Sequence, residues 1–464
     1  MRTVLYCVAV ALVSGAVAAC GGSVSNGSSS NNQDAAADDG GTTGAETGSA
    51  DAAGDADAGP PVDHGDASDV YPAFMPAFGQ IADQGGYVMK NPIIVPITWD
   101  SDPAQAQYDT FADTIGASGY WQATTSEYGV GPAVSGTANH VHVSTAAPAT
   151  ITDSALQSMV TSNAGTAWPA GTQDTIFLFF IPPTTSLQQG GSDVCAQGVG
   201  GYHEQLRSGG AGALAVIAPC NFKITPGQPT ESMAAATHEL IESATDPQPS
   251  SNQAYIEFTD PGFAFEYFTT DISQSFGNEI GDACEIFNNS YFDYVDTTTP
   301  FSSWVQRTWS NKSGLGGHDP CVPELPGETY FNVTPFGMQM VSVSVPSFGG
   351  TTKEQALGYV IPAGTTSKFQ VGFYSEAAVG QPWSLSAVVG NPIDALLASQ
   401  TGTLDAKNPS SVTVSVDKTT GVNGEKAWVT VTVKSTGTEF GGELVTLVSS
   451  AGATYYMPVW IAGQ

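Results

Sequence analysis

The segment Glu231-Ser-Met-Ala-Ala-Ala-Thr-His-Glu-Leu-Ile-Glu-Ser-Ala-Thr-Asp-Pro247 holds the residue types best suited to chemistry in this chain. It is Ala-rich and free of Gly and Pro from Ser232 to Asp246, which favours helix, and Pro247 stops it. Met233, Ala236, Leu240, Ile241 and Ala244 form one apolar face. His238 and Glu242 are four residues apart, so both project from one side of the helix, one turn apart. Two ligands at that spacing can hold one metal ion. Glu239 sits beside them, where a carboxylate can take a proton from a water on that ion. The plain alternative is a solvent-exposed acidic helix.

Two more carboxylates, Glu279 and Asp282, follow in Gly277-Asn-Glu-Ile-Gly-Asp-Ala-Cys-Glu285. A disulfide at Cys284 would fix their position. Either could serve as a third ligand while the other hydrogen-bonds a ligand such as His238. His203 lies in a Gly-rich stretch read as a loop. There it could stabilise a developing oxyanion, act as an alternative ligand, or simply be a satisfied loop histidine. His140 and His142 share one strand face. A His-x-His pair can bind metal, and the alternation of a half-buried strand explains the same pattern. Asp246 brackets the end of the helix, and Trp304 and Trp309 read as core.

The run His238-Glu-Leu-Ile-Glu242 resembles the HExxH helix of zincins, with Glu242 in place of the second His. Zinc accepts carboxylate oxygen as well as imidazole nitrogen, although the added negative charge makes the ion a weaker Lewis acid. The pair His238-Glu-Leu-Ile-Glu-Ser-Ala-Thr-Asp-Pro247 and Glu279-Ile-Gly-Asp-Ala-Cys284 resembles the paired motif of the EXORDIUM or phosphate-induced protein family. Plant members of that family carry HELAE, then T-N-P, then E-I-A-D-x-C. Further stretches are similar to it: Trp121-Gln-Ala-Thr-Thr-Ser-Glu-Tyr128, Cys195 through Gly201-Tyr-His203 (without the family's second Cys), and Val305-Gln-Arg-Thr-Trp-Ser-Asn311 through Cys321. The resemblance covers about residues 90–322. The bacterial branch looks like metalloproteases. It implies a Zn2+ cofactor, His238 and Glu242 as ligands, Glu279 or Asp282 as the third, Glu239 as general base, and a protein or peptide substrate. The plant members are wall-associated growth proteins, some of them without HELxE. That leaves a second reading, a non-catalytic surface protein with a structural metal that binds wall or surface glycan.

The elements that must position these residues are an α/β set, with a zincin-like α+β arrangement as the variant. Asn91–Trp99, Thr175–Ile181 and Ala213–Ala218 read as buried strands, and His140–Val143 as a half-buried one. Helical stretches run from about Pro103 to Ile115 and from Asp153 to Ser162, with Asp153 as N-cap. Residues 71–325 are therefore expected to form an α/β domain, metal-dependent hydrolase-like in the reading above. From about Thr329 the pattern changes to period two. Val341–Val345, Lys368–Tyr374, Trp383–Val389, Val412–Val416, Ala427–Val433, Leu444–Val448 and Thr454–Ile461 alternate apolar and polar. Residues 329–464 are accordingly expected to be an all-β, immunoglobulin-like sandwich.

Residues 1–19 read as a lipoprotein signal peptide for the Sec pathway. Arg2 precedes the apolar run Val4–Val13, which is too short to span a bilayer, and Val17-Ala18-Ala19-Cys20 resembles a lipobox. Lipidation is expected at Cys20, anchoring the chain to a bacterial outer membrane or cell surface. Residues 20–70 read as a disordered stalk. From 21 to 70 there are ten acidic side chains and no Lys, Arg or aromatic, so the stretch cannot bury enough apolar surface to fold and its like charges extend it. A net charge of −32 over the chain excludes a nucleic-acid partner, which needs clustered Lys and Arg. Cys195, Cys220, Cys284 and Cys321 remain as an even set in an exported chain, with three possible pairings. Cys195–Cys220 and Cys284–Cys321 are favoured because each closes a local loop.

Overall fold

Ile93–Trp99 (β1) is apolar along nearly its whole length, and in the computed structural model it sits inside a five-stranded sheet. The structure describes residues 64–76, 78–207, 211–220, 231–260, 279–285, 289–347, 350–390, 412–434 and 442–462. The signal peptide, Cys20 and the stalk as far as Asp63 lie outside the described residues.

The sheet also contains Val141–Val143 (β2), Thr175–Phe180 (β3), Gly201–Gln205 (β4) and Ala213–Ile217 (β5). Its spatial order is β2-β1-β3-β5-β4. The first four strands run parallel, and β4 pairs antiparallel to β5 with His203 opposite Ala215. Successive residues face opposite sides, so the sheet buries two separate apolar sets. Ile94, Ile176, Leu178 and Phe180 face Tyr108, Phe111, Trp121 and Leu240. Val95, Ile97, Phe177 and Phe179 face Leu156 and Val160. The first face carries Gln105–Ile115 (α1), Gly119–Thr125 (α2) and Glu231–Thr245 (α4), and the second carries Asp153–Asn163 (α3). Side-chain caps start α2 and α3: Ser118 Oγ accepts from Trp121 N, and Thr152 Oγ1 accepts from Ala155 N. The cap of α3 is thus Thr152, one residue before the expected Asp153.

After α4 the chain enters the short helix Asp282–Glu285 (α5), then the hairpin Tyr291–Val295 (β6) and Ser302–Gln306 (β7), then the paired strands Thr308–Trp309 (β8) and Cys321–Val322 (β9). The disulfides are Cys195–Cys220 and Cys284–Cys321. The second joins α5 to β9, and Trp309 N donates to Ile280 O at 2.8 Å beside it.

Between Phe331 and Ala462 the described strands form two sheets, one of four and one of six. Each of the seven alternating segments lies within one of these strands, and Phe331–Pro335, Gly350–Val360 and Thr420–Gly421 complete the ten. The two sheets bury a shared set that includes Val371, Phe373, Val429 and Val431 from one and Leu385, Leu447, Met457 and Val459 from the other. Residues 64–70, expected to end the stalk, are hydrogen-bonded here. Ser68 N donates to Asn423 O at 2.8 Å, and Asn423 Nδ2 donates to the carbonyls of Ser68 and Val70.

Candidate metal centre

Six of the residues singled out in the sequence come together: His203, His238, Glu239, Glu242, Glu279 and Asp282. The plain alternative, an exposed acidic helix, does not describe α4. Its apolar residues pack against the sheet and, on its other side, His238 is 9% exposed, Glu239 4% and Glu242 2%. The loop reading of His203 is also corrected. It is in the middle of β4, where pairing with Ala213–Ile217 satisfies the backbone of a Gly-rich stretch that sequence reasoning takes for a turn.

Glu242 is the hub. Its Oε2 lies 3.0 Å from His238 Nε2 and 3.5 Å from His203 Nδ1, and its Oε1 accepts from Gly281 N at 3.0 Å. His238 Nε2 is also 3.6 Å from Asp282 Oδ1. His203 Nδ1 lies 3.6 Å from Glu239 Oε2, and its Nε2 lies 3.5 Å from Glu279 Oε1 and 3.2 Å from the Asp246 carbonyl. Asp246 closes the helix end from both sides: its N donates to Glu242 O, and its Oδ1 accepts from Ala254 N at 2.9 Å.

Gln306, at the end of β7, is a site residue that sequence reasoning left without a role. Its Nε2 donates to Gly281 O at 2.8 Å, which turns its Oε1 toward His238 Nδ1 at 3.1 Å. Nδ1 is therefore the donor in that pair, and the other ring nitrogen, Nε2, presents its lone pair to Glu242 in the neutral ring. Two electron-pair donors then face each other at 3.0 Å. The signal for Gln306 lay in its position inside Val305–Asn311, one of the stretches that carries the family resemblance. The other missed residues are Gly201 and Gly281. A Cβ on Gly281 would stand 2.6 Å from Glu242 Oε1, and one on Gly201 would stand 2.8 Å from Glu239 Cγ. No spacing rule marks a glycine for that duty.

The electrostatics follow from crowding acids in a dry place. Among the described residues, the ion pairs of this cluster join only histidines and carboxylates. Burial raises the Glu279 and Asp282 carboxyls well above the usual range, Glu242 adding to both by repulsion. Burial likewise raises Glu239 and Glu285. Burial also works against the charged form of Glu242, yet the two imidazoles outweigh it and hold Glu242 below its ordinary value. For His203 and His238 burial works downward, and the surrounding carboxylates reverse it and hold both well above the ordinary imidazole range.

Two sets of donor atoms converge closely enough for one ion, His203–Glu242–Glu279 and His238–Glu239–Glu242, with Glu242 common to both. Two donors bound to one tetrahedral zinc stand about 3.4 Å apart. The 3.0–3.6 Å separations around Glu242 and His203 bracket that figure. Glu279 Oε1 is buried with no hydrogen-bond partner, a condition that a cation relieves. His140 and His142 lie elsewhere, against Asp109 and Asp113 of α1. Trp309 is fully buried core.

No family model matches this sequence, and neither does any curated protein. Solved structures that align with part of the chain include domains 4 and 5 of the S-layer protein SbsC, at 13% identity and a TM-score of 0.15, over 36% of this chain and 85% of that one. A longer piece of the same protein, rSbsC(31-844), aligns at 12% identity and a TM-score of 0.16, over 37% of this chain and 25% of that one. Likenesses this slight carry no argument about the fold or the site.

Proposed function

We propose that this chain is a zinc-dependent hydrolase that cleaves peptide bonds in a protein or peptide substrate. We further propose that a lipid on Cys20 holds it at a bacterial outer membrane or cell surface. The observation that carries the enzymatic reading is the arrangement around His238. With Nδ1 committed to Gln306, only a proton or a metal ion can join Nε2 to Glu242 Oε2 at 3.0 Å. The buried Glu279 Oε1, which has no hydrogen-bond partner, supports a metal ion.

In this reading Glu242 holds zinc with His238 and with Glu279, the loop acid whose donor atom converges with those of Glu242 and His203, and Asp282 steadies the loop by accepting from Glu279 N. When bound, zinc supplies a Lewis acid for a carbonyl and lowers the pKa of a coordinated water. The chain does the rest. Glu239, with a raised pKa, accepts a proton at neutral pH and returns it to the leaving amine. His203 Nδ1 faces Glu239 and Glu242 and orients both. Its Nε2–H is tied to the Asp246 carbonyl, which fixes the ring.

Glu239→Gln should retain zinc and lose cleavage of an unfolded protein by about 10²–10⁴-fold, while His238→Gln should lose one equivalent of zinc. The closure of the centre favours a second reading, since buried sites without an open position are structural. That reading is a non-catalytic surface protein binding wall or surface glycan. It prevails if wild type and Glu239→Gln are equally inert and wild type captures polysaccharide.

A further inference from the structure

We infer that Asp109, His140 and His142 form a second, solvent-accessible zinc site that clips helix α1 to the exposed edge of the parallel sheet. The site is independent of the buried centre and of the reading placed on it.

The argument begins with the edge. Among the described residues, strand β2 pairs on one side only, with β1. Helix α1 lies across that end of the sheet, burying Tyr108, Phe111, Ala112 and Ile115. Asp109 and Asp113, four residues apart, therefore share one flank of the helix. His140 and His142, two residues apart, share one face of the edge strand. All four side chains meet. Asp109 Oδ2 lies 2.9 Å from His142 Nε2 and 3.5 Å from His140 Nδ1. On the far side of the same ring, His140 Nε2 lies 2.8 Å from Asp113 Oδ1.

That last contact decides the chemistry. A carboxylate on Nε2 makes it the protonated nitrogen, so in the neutral ring Nδ1 carries the lone pair and faces Asp109. A carboxylate behind a histidine, holding its distal N–H, is the arrangement that orients imidazole toward a metal and raises its basicity. The donor atoms of Asp109, His140 and His142 lie within 4.8 Å of one another. The 2.9 and 3.5 Å separations, the shorter spanned by the His142 Nε2 proton that zinc would displace, bracket the roughly 3.4 Å expected between neighbouring donors on tetrahedral zinc. A further observation comes from the same carboxylate. Asp109 Oδ1 is buried and has no hydrogen-bond partner. Two imidazoles and one carboxylate suit Zn2+ rather than Mg2+ or Ca2+, which prefer oxygen alone. The His142 side chain is 39% exposed, so the ion has a path from solvent and a fourth position for water.

The test is a zinc titration of the full metal-stripped chain by calorimetry, read as differences between variants. Asp109→Asn and His142→Asn should each bind one equivalent less than wild type. His238→Gln should keep the equivalent that those two lose, so failure at either centre is seen separately. Asp113→Asn should keep the stoichiometry and weaken that equivalent about 10–100-fold. With Co2+ in place of zinc, His142→Asn should remove part of the visible absorption. Equal stoichiometry in wild type, Asp109→Asn and His142→Asn, with all three folded by circular dichroism, would overturn the proposal and leave a proton-bridged surface cluster.

Discussion

Gln306 Oε1 and His238 Nδ1, 3.1 Å apart, join the end of hairpin strand β7 to the middle of helix α4. Gln306 is bound on its other side to the carbonyl of Gly281, so one amide ties helix, hairpin and acidic loop together. Replacing it with Leu leaves a buried imidazole nitrogen and a buried carbonyl without partners. We expect Gln306→Leu to cost about 1–3 kcal/mol of stability for each group left unpaired, measured by denaturant unfolding. Zinc affinity should fall about 10–100-fold, measured by competition with a chromophoric chelator.

The metal-free protein should lose stability as pH rises above neutral. His203 and His238 have folded pKa values well above the ordinary 6.5, because the carboxylates around them outweigh burial. A group raised in this way stabilises the fold fully below its unfolded pKa, and the contribution is lost as pH climbs through the folded value. The raised carboxyls of Glu279 and Asp282 act in the same direction, since the fold holds protons that the unfolded chain has released. Glu242 is lowered, so its contribution is present above the ordinary carboxylate range and is lost as pH falls through and below it. Thermal melts of chelator-treated protein should therefore show the midpoint falling from about pH 6.5 upward. Saturating zinc should flatten or reverse that slope, because metal binding replaces the protons. A metal-free midpoint that rises over the same interval would contradict the charge assignment.

Much of this centre is legible in sequence because helical spacing is local. His238, Glu239 and Glu242 follow from a 3.6-residue repeat, and the loop acids from their closeness to Cys284. His203 stands out in the sequence as a candidate, but its surroundings do not. A Gly-rich stretch reads as a turn until a partner strand, Ala213–Ile217, takes up its hydrogen bonds. Gln306 lies 68 residues from His238, and no local pattern couples them. In the fold, the apolar runs of the sheet and the period-two segments beyond Thr329 declared themselves, since alternation follows directly from which face is buried. The hydrogen-bonded segment 64–70 did not, because polar residues that dock through backbone groups look like linker.

The glycines that approach the centre should separate metal binding from catalysis. At Gly281 an added Cβ meets Glu242 Oε1 at 2.6 Å and His238 Nδ1 at 2.8 Å, both within a buried cluster with little room to relax. At Gly201 it meets Glu239 Cγ and Oε1 at 2.8 Å. We expect Gly281→Ala to bind zinc poorly. We expect Gly201→Ala to bind zinc normally and lose turnover, since the side chain it displaces is Glu239, the proton carrier of the proposed mechanism, rather than a proposed ligand. Zinc content and the rate on an unfolded protein substrate, measured on the same preparations, check both.

The disulfide Cys284–Cys321 should matter more to the site than to the fold around it. It closes a span of 37 residues and ends in α5, directly after Asp282 and Ala283. By the chain-entropy relation its removal costs about 4 kcal/mol, against about 3.5 kcal/mol for the 25-residue span of Cys195–Cys220. The two losses are close, so stability alone does not distinguish the bridges. Position does. Cys284 anchors the loop that brings Glu279 and Asp282 to His203 and His238, and no metal-site residue is adjacent to Cys220 among the described residues. We therefore expect the paired substitution Cys284→Ser with Cys321→Ser to lower zinc affinity far more than Cys195→Ser with Cys220→Ser. Zinc titrations of both double variants, at a temperature where each is folded by circular dichroism, check this. Equal affinities in the two would mean that the acidic loop keeps its place without the sulfur link.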